Sequence, residues 1–342
     1  MLKLFKAVSI FVGTIIGAGI FGVPYIINKS GVVPGFFYFL ILGGVVLLIH
    51  LFFGEALLRT KESCRLPGLA QKYLGAWGKI LVMISVVSGL VGALLAYLIL
   101  AGDFLSILFS PVSNLSAVQL TVIFWIVMSY LIFRGIKLIA SVELLTNIIF
   151  FLASAAVLFF CLPRFDFRNL AVFNLPNAFL PFGVILFSLI GWSAIPEIID
   201  FLKTPREKKK IKKTIILATL VTTPFYLIFT LAVLGVVGNN ISQDVLSSLA
   251  PFLGPKIIFL AVLAALVTLA DSILVLGLHL KNTFVCDLKL SNRLSTVIAC
   301  GSPFILFLIG FRDFIGTLGF VGTVVGVIEG IAIILIFKKA KK

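Results

Sequence analysis

Two apolar segments are interrupted by glycine, and these interruptions are the places where the chain could bind a charged ligand. The first segment covers residues 12–24 (VGTIIGAGIFGVP) and the second covers residues 187–197 (FSLIGWSAIPE). Glycine allows the backbone to leave helical geometry. The N–H groups freed in this way can bind a carboxylate, and the freed carbonyls can bind a cation. Because irregular backbone within a membrane is tolerated only where it lines a cavity, both interruptions predict a binding site.

An acidic residue lies at the same predicted depth as the two interruptions. Gly17, Gly191 and Asp271 each fall near the middle of a predicted membrane span. An acid at mid-span costs about 2.5–3.5 kcal/mol on insertion, so by default it has a function. With free carbonyls nearby, the carboxylate of Asp271 could hold Na⁺, or the carboxyl group could carry a proton. Glu197, in the first turn after the second interruption, is either a partner of the local helix dipole or a further proton carrier.

The sequence does not indicate other kinds of chemistry. Residues 17–22 match the pattern G-x-G-x-x-G, but no strand precedes them and no acidic residue follows at the spacing of a dinucleotide site. No Ser–His–Asp arrangement, metal-ligand cluster or nucleotide-binding loop stands out, and no cofactor is expected. Tyr97 lies near the middle of the third span, where its ring could cover a substrate or could pack in the core. His50 and Glu329 are interpreted as satisfied structural groups.

Membrane helices are the elements that must position these residues. The chain has 61% hydrophobic and 12% charged residues, whereas soluble domains have about 45–50% apolar and about 25% charged residues. Apolar stretches of about 20 residues recur along the chain. We therefore predict an all-α integral membrane protein with about ten spans. Their residues are 4–28, 32–58, 79–109, 117–134, 137–162, 176–202, 212–238, 255–283, 291–310 and 314–337.

The basic residues predict how these spans are oriented. The chain has 28 Lys and Arg and a net charge of +15. If the N-terminus is cytoplasmic, the basic residues on the opposite side are Lys29, Arg164, Arg168, Lys256 and Arg312. This asymmetry predicts a multi-pass protein of the cell (inner) membrane with both termini in the cytoplasm. The basic run at residues 203–213 is then an anchor to anionic lipid, and no nucleic-acid partner is expected.

The spacing of the two interruptions predicts an inverted repeat. Gly17 and Gly191 are separated by about half of the 342-residue chain. Ten spans divide into repeat one, residues 1–162, and repeat two, residues 163–342, within a single transmembrane domain. An odd number of spans in each half gives the halves opposite orientations. Interrupted helices at corresponding positions of such halves are typical of secondary transporters.

Several motifs along the chain resemble one family of transporters. They are residues 13–24, 54–56 (GEA), 66–70 (LPGLA), 74–78 (LGAWG), 195–196 (IP) with the basic loop that follows, and 234–238 (LGVVG). Together they resemble the amino acid–polyamine–organocation superfamily. Within it, they are most similar to the bacterial aromatic and hydroxy amino acid permeases and the amino acid/auxin permeases. The resemblance implies a five-plus-five inverted-repeat fold in which spans one and six are discontinuous and the substrate lies between spans one, three, six and eight.

The resemblance also implies roles for residues near the interruptions. Backbone around Gly17 would bind the carboxylate of an amino acid, carbonyls around Gly191 would meet its ammonium group, and Trp192 and Tyr97 would shape the side-chain pocket. With the hydroxyls beside the second interruption, the predicted substrate site is Gly17, Ala18, Gly19, Tyr97, Ser188, Gly191, Trp192 and Ser193. A sodium site in relatives corresponds to Gly13, Ile16, Asp271 and Ser272, and Glu197 completes the predicted ion-coupling set.

We predict a secondary active amino acid transporter that works by alternating access and couples to protons in preference to sodium. A membrane-embedded enzyme acting on lipid-linked substrates is one alternative, but it would place a catalytic pair near one interface, whereas the polar groups gather at mid-depth. A non-transporting sensor on the same fold is the other alternative, and it would normally need a soluble output domain. The amino acid, the direction of transport and the oligomeric state are left open.

Overall fold

The structure is a computed structural model that describes residues 2–60, 65–110, 112–135 and 140–341, with backbone alone at Leu2, residues 140–143 and Cys286. The described residues are helical and contain no β-strand. Their α-helices are α1 Leu2–Ile15, α2 Gly19–Ser30, α3 Val32–Arg59, α4 Leu66–Phe109, α5 Ala117–Phe133, α6 Ala140–Cys161, α7 Pro181–Leu189, α8 Ile195–Phe201, α9 Pro205–Lys208, α10 Ile211–Val237, α11 Leu246–Leu253, α12 Pro255–Asp287, α13 Asn292–Leu308, α14 Phe314–Phe320 and α15 Val327–Ala340. A π-helical segment, Val321–Gly326, joins α14 to α15.

Membrane-spanning helices make up most of this structure. Within the described ranges, seven helical segments are long and apolar enough to cross a membrane, and the bent pair α1 and α2 is an eighth. Helices α5 and α13 are shorter apolar helices of 17 residues each at the positions of predicted spans four and nine. Each of the ten predicted spans therefore corresponds to an apolar helix or to a broken apolar helix. The predicted all-α membrane fold is confirmed, and so are the discontinuous spans one and six.

The helix pairs of one half of the chain have counterparts in the other half. Helix α1 packs against α6 and α10, and α7 packs against the π-helical segment and α3. Helix α6 packs against α12, and α15 packs against α4. A shift of five spans along the chain converts the contacts of α1 into those of α7. The same shift converts the contact between α6 and α12 into the contact between α15 and α4. This is the packing of a five-plus-five inverted repeat, while the repeat boundary between residues 162 and 163 stays a prediction.

The connection between spans two and three contains a helix where the sequence analysis expects an inner loop. Helix α4 begins at Leu66, well before the predicted start of span three at residue 79. Gly75 interrupts it with φ 82° and ψ −169°, a conformation that residues with a Cβ rarely adopt. The first turns of α4 are therefore a separate short helix, which precedes the spanning part of the same element.

One end of the bundle is closed by loop contacts. The backbone N–H of Val32 donates to the carbonyl of Ala171 over 2.8 Å, and that of Asn174 donates to Ser30 over 2.8 Å. The Asn28 side chain, at the end of α2, donates to the Gly238 carbonyl after α10. At the other end, which carries the basic loops, Lys3 forms a 2.6 Å ion pair with Glu207. We refer to these two ends as the sealed side and the basic side.

Candidate functional site

The first interruption separates α1 from α2 at residues 16–18. The Ile15 carbonyl, left without a helical partner, accepts a 3.0 Å hydrogen bond from the hydroxyl of Tyr226 on α10. The Tyr97 hydroxyl lies where a Cβ at Gly17 would be, so this close approach requires glycine. The α1–α2 bend of 50° is thus fixed by side chains from two other spans. At Gly17 the bend replaces the hydrogen bond of a continuous helix by one from the Gly17 N–H to the Ile15 carbonyl.

The second interruption separates α7 from α8. Gly191 has φ −148° and ψ 7°, outside helical geometry, and its N–H donates to Nε2 of the fully buried His50 over 3.1 Å. A single 3₁₀ turn, Trp192–Ala194, follows. Serine is a common N-cap residue, but Ser193 does not cap the second half-helix. Helix α8 begins at Ile195, and no side chain caps it, because the 3₁₀ turn already continues the chain into the helix.

The two interruptions contact each other in the centre of the bundle. A Cβ at Gly191 would lie 2.6 Å from Cγ1 of Ile15, and a Cβ at Gly19 would meet the Ser188 hydroxyl. Each of these two close contacts, at Gly191 and at Gly19, therefore requires glycine. The helix ends that flank the two interruptions are therefore in direct contact, as a shared binding site needs.

The larger of two central cavities begins at these interruptions. It has a volume of about 110 Å³ and is lined by Gly17, Tyr97, Trp192, Ser193 and Glu329, among others. It continues to Arg65 and Leu66, at the basic side. No described residue of α2 lines it.

Tight packing at the sealed side keeps the cavity from reaching that side. A Cβ at Gly22 of α2 would lie 2.9 Å from Leu318 of α14. Gly183 of α7 is in direct contact with Gly322 of the π-helical segment. Small residues permit such close approach of helix backbones. The cavity is therefore directed to the basic side.

The smaller cavity contains the predicted ion-coupling acid. Its volume is about 30 Å³, and its lining includes Gly13, Thr14, Tyr97, Asp271 and Ser272. Oδ2 of Asp271 accepts a 3.3 Å hydrogen bond from the hydroxyl of Thr146 on α6. Oδ1 is buried and has no hydrogen-bond partner within the described part of the chain. The carboxyl group could bind a small cation or a proton here.

The structure brings some predicted residues into the cavities and leaves others outside. Those that line a cavity are Gly13, Gly17, Tyr97, Trp192, Ser193, Asp271 and Ser272. Those that line neither of the two central cavities are Ile16, Ala18, Gly19, Ser188, Gly191 and Glu197. Most of the second set forms the unwound backbone or packs on it, whereas Glu197 is an exposed residue of α8. All of these assignments stay predictions.

Two residues that the sequence analysis interprets as structural are part of the site. His50 binds the Gly191 N–H. Glu329 lines the larger cavity and accepts a 2.5 Å hydrogen bond from the indole N–H of Trp192. The sequence did contain one indication of a role in the site: both residues lie within predicted spans, and intramembrane ionisable residues are functional by default. Their partners are separated from them by 141 and 137 residues, which no sequence pattern reveals.

A family model decides the classification. The model for the transmembrane amino acid transporter protein family matches residues 2–286. The chain belongs to this family. This confirms the predicted resemblance and identifies the chain as a transporter-family protein rather than an enzyme. The matched region contains both interruptions and Asp271, while α13 to α15 lie beyond it.

Individual relatives agree with this classification, and a solved structure shares the fold. The chain is 28% identical to tyrosine-specific transport system 2 of Haemophilus influenzae over 70% of its length and 59% of the relative's. It therefore spans less than two thirds of that protein. It is 24% identical to glutamine transporter 2 of Aliivibrio fischeri, over 94% of its length and 85% of the relative's. The structure of Mhp1, a nucleobase-cation-symport-1 family transporter in a closed conformation with bromovinylhydantoin bound, matches with TM-score 0.67 and 15% identity, covering 96% of this chain and 77% of that one.

Proposed function

We propose that this protein is a cation-coupled secondary active transporter of amino acids that works by alternating access. The observation that carries the proposal is the meeting of two unwound helices at a central cavity, with Gly191 packed against Ile15. Free N–H groups of the first interruption would bind the substrate's carboxylate, since helix N-termini attract anions. Carbonyls of the second interruption would bind its ammonium group. Trp192 and Tyr97 would enclose the side chain.

The substrate we propose is a neutral amino acid. Two supporting relatives are named for tyrosine and glutamine, whose side chains carry no charge. The cavity walls between Gly17 and Glu329 are mostly apolar, with Val86, Leu90 and Phe187 among them. Apolar walls with a few polar groups are typical of sites for small organic ligands.

The coupling ion we propose is the proton, bound at Asp271. A buried carboxylate oxygen without a donor is costly when it is charged, and a proton removes that cost. Sodium is the alternative, because Gly13 and Ser272 lie at the same small cavity and could add oxygen ligands. Glu197, which is exposed, has a weaker claim to this role.

Hydrogen bonds around the interruptions support a rocking motion of spans one, two, six and seven. Tyr226 joins span seven to span one at Ile15, and His50 joins span two to span six at Gly191. These four spans would then move as a unit against the others. If the termini are cytoplasmic, as the basic loops predict, the described conformation would be the inward-facing one.

Uptake into proteoliposomes tests the proposal. Purified protein would be supplied with a mixture of labelled amino acids under an inward pH gradient or an inward sodium gradient. We expect uptake driven by protons and lost in Asp271→Asn. The matched control is Asp103→Asn, since Asp103 is an acid of α4 that lines neither central cavity.

The other outcomes have distinct meanings. Uptake driven by sodium alone would make Asp271 a sodium ligand and contradict proton coupling. No uptake under either gradient, with folded protein verified by size-exclusion chromatography, would contradict coupled amino acid transport. Equal loss of uptake in Asp103→Asn would show that the effect is not specific to the small cavity.

A further inference from the structure

Glu329 is a buried acid in the last membrane span. It lies in the first turn of α15, directly after the π-helical segment Val321–Gly326. π-helical turns are frequent at functional sites, because the extra residue re-aims the side chains that follow. The Glu329 side chain is 7% exposed and lines the larger cavity. Nothing in the family model covers it, since the match ends at residue 286.

The carboxylate of Glu329 has unused acceptor capacity. Its Oε2 accepts the 2.5 Å hydrogen bond from Trp192. In the part of the chain that the structure describes, no other hydrogen bond and no ion pair to Glu329 is found. A carboxylate can accept about four hydrogen bonds. A buried carboxylate with a single donor therefore calls for a further donor from the molecule that fills the cavity.

Oε1 of Glu329 lies next to a part of the cavity wall that is formed by a glycine. Gly89 of α4 faces the carboxylate, and a Cβ built there would lie 3.8 Å from Oε1 of Glu329. A Cβ at Gly89 would also lie 2.7 Å from Cγ1 of Val325, so this wall is closely packed, and the lack of a side chain at Gly89 keeps it from covering the oxygen. Gly17 and Tyr97, at the interruptions, line the same cavity. A ligand held by its backbone groups at the interruptions would extend its far end along apolar walls towards Glu329.

We propose that Glu329 is the hydrogen-bond acceptor for the far end of the substrate's side chain. The site would then select amino acids whose side chain ends in an O–H or N–H donor, such as a phenol or a carboxamide. This inference rests on the proposed function, because it takes the substrate to be an amino acid. Trp192 is a positioning residue in this scheme, since its indole holds one carboxylate oxygen and leaves the other directed to the cavity.

The expected consequence is discrimination between amino acids that differ by a donor. A substrate without the donor would leave the buried carboxylate unsatisfied, and sites built to bind a hydroxyl reject such analogues strongly. We expect unlabelled tyrosine to compete for uptake at least about 10-fold better than phenylalanine, and glutamine better than methionine by a similar factor.

Competition in proteoliposomes measures this discrimination. Uptake of the labelled amino acid mixture is titrated with each of the four unlabelled amino acids, in wild type, Glu329→Met and Glu329→Gln. Methionine has similar length without a strong acceptor, so Glu329→Met is expected to bring both ratios close to one. The glutamine amide oxygen still accepts, so Glu329→Gln is expected to retain part of the preference. Asp103→Asn is the control that should keep the wild-type ratios.

Each contrary result is informative. If phenylalanine competes as well as tyrosine and methionine as well as glutamine in the wild type, the inference is overturned without recourse to any variant. If Glu329→Gln abolishes uptake driven by the pH gradient but leaves the ratios unchanged in sodium-driven or exchange uptake, Glu329 is a proton carrier and the inference is wrong. Absence of any amino acid uptake by the wild type would instead contradict the proposed function.

Discussion

The backbone N–H of Gly191 donates a 3.1 Å hydrogen bond to Nε2 of His50. The second interruption is thus held by a side chain of span two, 141 residues away. Because Nε2 is the acceptor, the neutral ring carries its proton on Nδ1. The ring is also packed edge-on against Phe11 of α1 and Trp192, with ring centroids 5.0 and 5.9 Å apart. One imidazole therefore joins spans one, two and six.

Replacement of His50 by leucine should destabilise the second interruption. The Gly191 N–H would lose its partner in a buried site, at a cost of about 1–3 kcal/mol. We expect His50→Leu to lower the melting temperature of the purified protein and to reduce uptake. His50→Gln offers an amide acceptor and should lose less of both. A melting temperature for His50→Leu equal to that of the wild type would contradict this role.

A side chain at Gly17 should conflict with Tyr97. A Cβ at this position would collide with the Tyr97 hydroxyl, so we expect Gly17→Ala to abolish uptake in proteoliposomes. Adding Tyr97→Phe removes the hydroxyl and should restore part of the protein's thermal stability in a double-mutant cycle. Gly44→Ala is the matched control, because nothing lies within 4 Å of a Cβ at Gly44. Independent, additive effects of the two substitutions would argue against the contact.

The Tyr226 hydroxyl should stabilise the first interruption. It donates to the Ile15 carbonyl over 3.0 Å, and the residue is fully buried. Tyr226→Phe removes one of the two donors to that carbonyl, which also accepts from the Gly17 N–H over 3.1 Å, and should cost about 0.5–1.5 kcal/mol, seen as a lower melting temperature. Tyr130→Phe, at a residue that is 56% exposed, should leave the melting temperature almost unchanged. Similar shifts for both variants would mean that the Ile15 hydrogen bond contributes nothing specific.

The loop at the sealed side should depend on the charge of Asp166. Hydrogen bonds from the Arg168 side chain and backbone lower the pKa of this carboxyl group below its usual value. A lowered folded-state pKa stabilises the protein above the unfolded-state pKa, and this stabilisation is lost as the pH falls through the folded-state value. We expect wild type to melt slightly above Asp166→Asn at neutral pH, with the difference vanishing in acid. A difference that grows as the pH falls would contradict the sign of this effect.

The amino-acid sequence by itself determined the features that depend on local composition. Apolar length fixed the ten helices, because a membrane span needs a minimum number of apolar residues. Glycine at positions 17 and 191 fixed where spans one and six break, because backbone freedom is a property of the residue itself. The depth of Asp271 followed from its place within its span. The family resemblance could also be recognised from local sequence, because residues 13–24 and a few shorter motifs carry it.

Only the tertiary structure decided which side chains meet at the breaks. His50 reaches Gly191, Tyr226 reaches Ile15, and Glu329 reaches Trp192 across 137 to 211 residues of sequence. The partners of an intramembrane polar residue depend on the crossing angles and rotation of neighbouring helices, which hydropathy does not encode. The sequence could therefore predict that Asp271 lies near the middle of its span. The sequence did not reveal that Glu329, which was interpreted as a structural residue, lines the same cavity as Gly17 and Tyr97.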